Sequence, residues 1–198
     1  MRHLPVAIAA TAVWFLAGCG GDRPVPVPAP SYDPAAMAEA AVRELDADAS
    51  GAVDGGELDA RPWLKAFDTD HDKKVSRDEL KARFDGYAKT GAGALGYTVR
   101  VTLDGRPLPD ATVTFTPEAF MNGAVGEATA RTGPDGSASA FTAGGQQLPG
   151  LALGVYRVAV TTPDGSIPAR YNTATTLGCE VSGGRGGSSV LELKLKRK

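Results

Sequence analysis

The chain has two histidines and two cysteines in 198 residues, and that scarcity removes several chemistries at once. A serine or cysteine nucleophile needs an imidazole or equivalent base beside it. His3 falls in an amino-terminal leader and His71 in an acidic loop, so neither is placed to serve. No Cys/His grouping has the spacing of a zinc site. Cys19 and Cys179 are too few for a disulfide framework. Net charge of either sign is also small. A formal −2 and a pI of about 5.7 leave no basic excess for binding nucleic acid. Aromatics make up 7%, so the expected core is aliphatic. No apolar run reaches the ~20 residues that cross a bilayer as a helix. The reading is therefore of a non-enzyme, unless the acidic loops described below serve as a hydrolytic carboxylate pair.

Glycine (25) and proline (14) are plentiful and predict turns and at least one linker. The amino terminus is a processing segment. Arg2 and His3 precede an apolar stretch from Leu4 to Gly18, the layout of a secretory signal. Leu16-Ala17-Gly18-Cys19 resembles the bacterial lipobox. That resemblance implies cleavage before Cys19, acylation of its thiol and anchoring in the cell envelope. An ordinary signal peptide with a chance cysteine is the alternative. By the same resemblance, Gly20 in place of Asp favours the outer membrane. Residues 1–18 are thus expected to be a lipoprotein signal peptide and 19–34 a lipidated tether. Arg23-Pro24-Val25-Pro26-Val27-Pro28-Ala29-Pro30 favours extended polyproline II, a semi-rigid spacer. A disordered tail fits the same composition.

Two 12-residue segments then repeat one frame of oxygen-bearing side chains. In Asp46–Glu57, Asp46, Asp48 and Ser50 fill positions 1, 3 and 5. Gly51 makes the turn, Ala52 offers a carbonyl, Val53 packs inward, Asp54 holds position 9 and Glu57 closes at 12. In Asp68–Glu79 the same places fall to Asp68, Asp70, Asp72, Lys74 (carbonyl), Val75, Ser76 and Glu79. Hard oxygens at 1, 3, 5, 7, 9 and 12 suit Ca²⁺, and the pattern is that of an EF-hand loop. Lys73 stands where glycine is expected, at a cost on the order of 1 kcal/mol for a positive φ. The second loop is therefore expected to bind more weakly, or after the first. The loops start 22 residues apart (46 to 68), so the connecting helix is expected to be short and shared. Ala36 to Leu45 reads as an entering helix. Leu80, Phe84 and Tyr87 mark an exiting one. A solvated acidic stretch would not place Val at position 8 and Glu at 12 twice.

From Tyr97 the period changes to two. Val99, Val101 and Leu103 alternate with polar residues, as do Val113 with Phe115, Tyr156 with Val158, and Leu191 with Leu193 and Leu195. Asp104-Gly105 and Gly133-Pro134-Asp135-Gly136 are turns. Six or seven strands over about 100 residues predict a β-sandwich. The stretch from Tyr97 to Pro117, the Gly133–Gly136 turn, the Pro149–Val160 strand entry and Ile167–Asn172 resemble a carboxypeptidase regulatory-like domain of transthyretin-like fold. The resemblance implies a non-catalytic spacing, folding or adhesion module and names no ligand. Cys179 reads as a buried thiol, with an intermolecular disulfide as the alternative outside the cytosol. Gly183–Gly187 reads as a hairpin loop without a phosphate-loop ending.

The expected fold is α+β: an EF-hand pair over 35–88, a linker over 89–96 and a transthyretin-like or Ig-like sandwich over 97–198. The expected role is a calcium-binding, lipid-anchored structural or adhesive module of the bacterial envelope. Its expected contacts are the membrane through Cys19 and an envelope protein or polysaccharide, with no nucleic acid. The alternatives are a calcium sensor presenting an apolar groove and an accessory subunit of a carbohydrate-degrading or transport complex.

Overall fold

The computed structural model describes residues 27–183 and 189–197. The signal segment, Cys19, the tether up to residue 26 and most of the Gly183–Gly187 loop lie outside them.

The protein is mixed helix and sheet. Helix α1 (Pro34–Leu45) starts at Asp33, whose carboxylate accepts the Ala36 N–H at 3.1 Å. Its buried face carries Met37, Ala38, Ala41 and Leu45. The expected single connecting helix is broken. The six-residue α2 (Gly55–Ala60) stops before a 3-10 helix, Pro62–Phe67, because Pro62 has no N–H with which to continue an α-helix. Helix α3 (Arg77–Thr90) starts at Ser76 and ends on left-handed Gly91. Strands β1 (Ala52–Asp54) and β2 (Lys74–Ser76) pair antiparallel, with Val53 opposite Val75 and both buried.

Ten further strands form two sheets. The larger one runs β11 (Leu177–Val181), β10 (Gly154–Thr161), β5 (Thr112–Pro117), β6 (Ala128–Arg131), β8 (Phe141–Ala143), β9 (Gln146–Leu148). The smaller one runs β12 (Val190–Leu195), β3 (Thr98–Leu103), β4 (Arg106–Pro107), with β7 (Ser137–Ala138) also on β3. Strand β12 lies parallel to β3, and every other pair is antiparallel. More strands form than the six or seven expected. The segment after the Gly133–Gly136 turn divides between the two sheets, Ser137–Ala138 in the smaller and Phe141–Ala143 in the larger. Val99, Val101, Leu193 and Leu195 from one sheet and Val113, Phe115, Val158 and Val160 from the other share one buried cluster.

That same cluster includes the helical residues Leu64, Phe67, Leu80 and Phe84, so the helices and sheets are packed as one body. Phe84 meets Phe120 with ring centroids 6.1 Å apart. Glu180 on β11 accepts from Arg83 Nε at 2.5 Å, Arg83 Nη2 at 2.7 Å and Tyr87 Oη at 2.6 Å. Glu118, its side chain fully buried and without a hydrogen bond, lies between Arg157 Nε at 3.4 Å and Arg61 Nε at 3.8 Å. Burial pushes its carboxyl above the ordinary range, against the pull of Arg157 and Arg61.

Two chain segments assigned to linkers belong to this body. Leu95, in the 89–96 stretch, exchanges backbone hydrogen bonds with Leu151. Residues 27–33, expected in the tether, lie against the protein. A side chain at Gly93 would collide with the Val27 carbonyl, and Tyr32 Oη donates to the Leu153 carbonyl at 2.8 Å.

The seam has a sharp steric test. A Cβ at Gly178 on β11 would collide with the Trp63 ring. Gly178→Ala should therefore destabilise the chain by about 1–3 kcal/mol, read by urea unfolding. In a Trp63→Ala background the same substitution should cost little.

Candidate metal centre

Both acidic loops hang from the β1–β2 pair, and their internal bonds follow from ligand-bearing side chains being short. In the first, Asp46 accepts from Ser50 N at 2.9 Å and Gly51 N at 2.8 Å. Asp48 also accepts from Ser50 N, at 3.0 Å. In the second, Asp68 accepts from Lys73 N at 3.0 Å and Asp70 from Asp72 N at 3.1 Å. The closing glutamates bind backbone at both ends of their loops. Glu57 accepts from Ala47 N at 2.5 Å and Asp54 N at 3.2 Å. Glu79 accepts from Thr69 N at 2.7 Å and Ser76 N at 2.9 Å. Each glutamate thus caps the following helix and folds its loop into a ring.

This folding gathers carboxylate oxygens at two points. Asp46, Asp48 and Glu57 offer oxygens within 4.8 Å of one another, and so do Asp68, Asp70 and Glu79. Either group could hold a metal ion. The donor set fits one: all ligands are hard oxygens, and Asp68 Oδ1 is buried with no hydrogen-bond partner. A buried carboxylate oxygen left unpaired is costly, and a bound cation would satisfy it. Backbone donors favour the charged form of two of these carboxylates, Asp46 and Glu79. Burial alone would raise the Asp46 carboxyl, but the Gly51 and Ser50 N–H groups outweigh it and hold it below its ordinary value. Burial opposes the charge on Glu79 too, yet donors from Ser76 and Thr69 bring it down to about 2.

The remaining candidate residues are placed differently. Ser50 Oγ donates to the Ala52 carbonyl at 3.1 Å. Asp72 accepts from Lys74 N at 2.8 Å, and Ser76 Oγ donates to Glu79 at 2.9 Å. Asp54 and Asp72 stand outside the two carboxylate groups. Asp54 instead pairs with the Lys74 ammonium at 3.1 Å across β1–β2, and that pairing raises the Lys74 pKa. Only the Lys74 carbonyl figures in the frame read from sequence, so this contact was not foreseen. It was findable, because positions 7 and 9 of paired loops become opposite neighbours once the Val residues align. Cys179 is a buried free thiol, with burial pushing it up to about 12 against a bond from Tyr97.

The turns match between loops. Gly51 and Lys73 both take positive φ, 89° and 70°. So do Ala49 and His71 at position 4, 59° and 64°, where no glycine marks the requirement. Among family models, curated proteins and solved structures, nothing matches this chain.

The turn geometry predicts an asymmetry. Gly51→Ala should destabilise the metal-free chain by about 1 kcal/mol or more. Lys73→Gly should be neutral or stabilise by up to about 1 kcal/mol. Chemical denaturation in a chelator would measure both.

Proposed function

We propose that the chain is a calcium-binding, exported and lipid-anchored envelope module with a structural or adhesive role and no catalytic one. The loops act as an EF-hand pair, and the ten-stranded unit is a transthyretin-like sandwich. One observation carries the reading: two loops repeat the same ring of hydrogen bonds and each gathers three carboxylates. Calcium takes six to eight oxygens. Asp46, Asp48 and Glu57, or Asp68, Asp70 and Glu79, supply the charged ones, and the Ala52 and Lys74 carbonyls supply the seventh position. Asp54 and Ser76 contribute through water, as ninth positions often do.

A structural role is favoured over a sensor by the packing of the helices. Phe67, Phe84 and Tyr87, which would line a partner groove, are already buried, with Phe84 against Phe120 and Tyr87 bonded to Glu180. Calcium then fixes the loops without opening a new face, and its affinity belongs in the extracellular range, roughly 10⁻⁴–10⁻³ M.

Calorimetric titration of the chain carrying Cys19→Ser should show calcium binding in that range with little change in helix content. Glu57→Gln combined with Glu79→Gln should abolish the heat; unchanged affinity would sink the assignment. Calcium at a hundred times Kd should add about 2.7 kcal/mol of stability per occupied site. Membrane fractionation tests the anchor separately. After a high-salt wash that screens electrostatic contacts, Cys19→Ser should move the protein to the soluble fraction, and continued sedimentation with membranes refutes lipidation.

A further inference from the structure

Among the described residues, cationic side chains gather on the far side of the smaller sheet from the shared core. Pairing of β12 with β3 sets Glu192 beside Arg100 and Lys194 beside Thr102, and these side chains point away from the buried Val101 and Leu193. Beyond the strand, Arg170 Nη2 donates to the Lys196 carbonyl at 2.5 Å, which draws a further guanidinium to the same corner. Arg100, Lys194, Lys196, Arg170 and Arg197 thus face three carboxylates, Glu192, Asp104 and, beside Arg100, Asp135. Glu192 is shared between Lys194 at 3.1 Å and Arg100 at 3.6 Å. Asp104 is taken by Arg197 at 3.5 Å. Among the described residues, no carboxylate lies within ion-pair distance of the Lys196 ammonium. The surface is also concave: an open depression of about 540 Å³ is lined by Thr102, Asp104, Gly105, Lys194, Leu195 and Lys196. Its polar lining is two lysines, the Thr102 side chain and one carboxylate, Asp104, which Arg197 pairs at 3.5 Å; with that charge matched, the lysines are left to attract a phosphate.

The length of the leash says which phosphates are at hand. Val27 is pinned against Gly93 and Tyr32 against Leu153, so only the chain between Cys19 and Val27 can serve as tether. Eight residues reach at most about 28 Å when fully extended. A body of some 170 residues has a radius of gyration of about 15 Å, and hence a diameter of about 40 Å. A body wider than its leash must present one of its sides to the bilayer. The acidic loops would be repelled there, and the cationic corner attracted.

We propose that the outer face of β12 and β3 docks on the phosphate headgroups of an anionic bilayer, with Lys194 and Lys196 as its main contacts. The orientation argument rests on the lipid anchor at Cys19, but the surface can be tested without it. The chain carrying Cys19→Ser is mixed with vesicles of phosphatidylglycerol in phosphatidylcholine, or of phosphatidylcholine alone, and pelleted in EDTA so that calcium cannot bridge acidic groups to lipid. Binding should require the anionic lipid and weaken steeply with salt. Lys194→Gln with Lys196→Gln should reduce it about thirtyfold, the effect of two cationic contacts of ordinary strength. Calcium binding by that variant should be unchanged, which shows that it is folded. Equal binding to neutral vesicles, or no effect of the double substitution, overturns the proposal. Displacement by millimolar inorganic phosphate would assign the hollow to a free anion instead. Tighter binding to immobilised dextran sulfate than to the vesicles would assign the face to an acidic polysaccharide. Failure of the Cys19→Ser fractionation alone would remove the anchor and leave this result standing.

Discussion

The placement of both acidic loops depends on one carboxylate, Glu180. It lies on the edge strand of the six-stranded sheet and takes three short hydrogen bonds from α3. Two come from Arg83 in fork geometry and one from Tyr87. Glu180 is nearly buried and the Arg83 side chain 31% exposed; hydrogen bonds to charged groups are worth about 1.5–3 kcal/mol each, a large part of what holds a domain folded. One turn before Arg83 on the same helix stands Glu79, the closing carboxylate of the second loop. The helix therefore carries the seam and the site on a single rigid rod. Strand β2 passes that position to β1, and β1 passes it to the first loop through the Val53–Val75 pair.

Glu57 and Glu79 hold two positions at once. Each is the third residue of a helix, reaching back to cap its start, and each is also a carboxylate facing the loop. The donors that stabilise the cap also keep Glu79 ionised, at about 2. The loop carboxylates are thus held in place by backbone donors before any ion arrives. Such preorganisation lowers the ordering cost of binding. It also explains how Lys73 is tolerated: its N–H is needed by Asp68 at 3.0 Å, and the ring of bonds holds the turn although the residue is not glycine.

The sequence made the loops visible because ligand chemistry fixes both residue type and spacing. Helices α1 and α3 were visible through Met37, Ala41 and Leu45, and through Leu80, Phe84 and Tyr87. Strands β3, β5, β10 and β12 showed plain alternation. Strands β4 and β7 have two residues each, and β8 and β9 have three, too few to display a period. Strand β11, Leu177-Gly178-Cys179-Glu180-Val181, hides its role for another reason. Gly178 and Glu180 look like solvent positions, yet they face Trp63 and Arg83. Arg83 and Glu180 are 97 residues apart, and no local pattern signals such a partner. Glu118 was missed in the same way, since its partners Arg61 and Arg157 come from the helical unit and from β10.

The seam also constrains what calcium can do. A ligand shifts a conformational equilibrium only by the difference in its affinity for the two states. At ten times a dissociation constant in the range proposed, one site supplies about 1.4 kcal/mol, and two supply about 3. Opening the helices would break the Arg83–Glu180–Tyr87 group, whose charged hydrogen bonds are worth about 1.5–3 kcal/mol each. It would also expose Phe84 and Phe67, at roughly 1.5–3 kcal/mol each. The cost exceeds what the ions supply, so filled loops are expected to leave the helices seated on the sheet. On the proposed reading, bound calcium would act only where its energy suffices: at the two turns, where it would neutralise clustered carboxylates and satisfy the buried oxygen of Asp68.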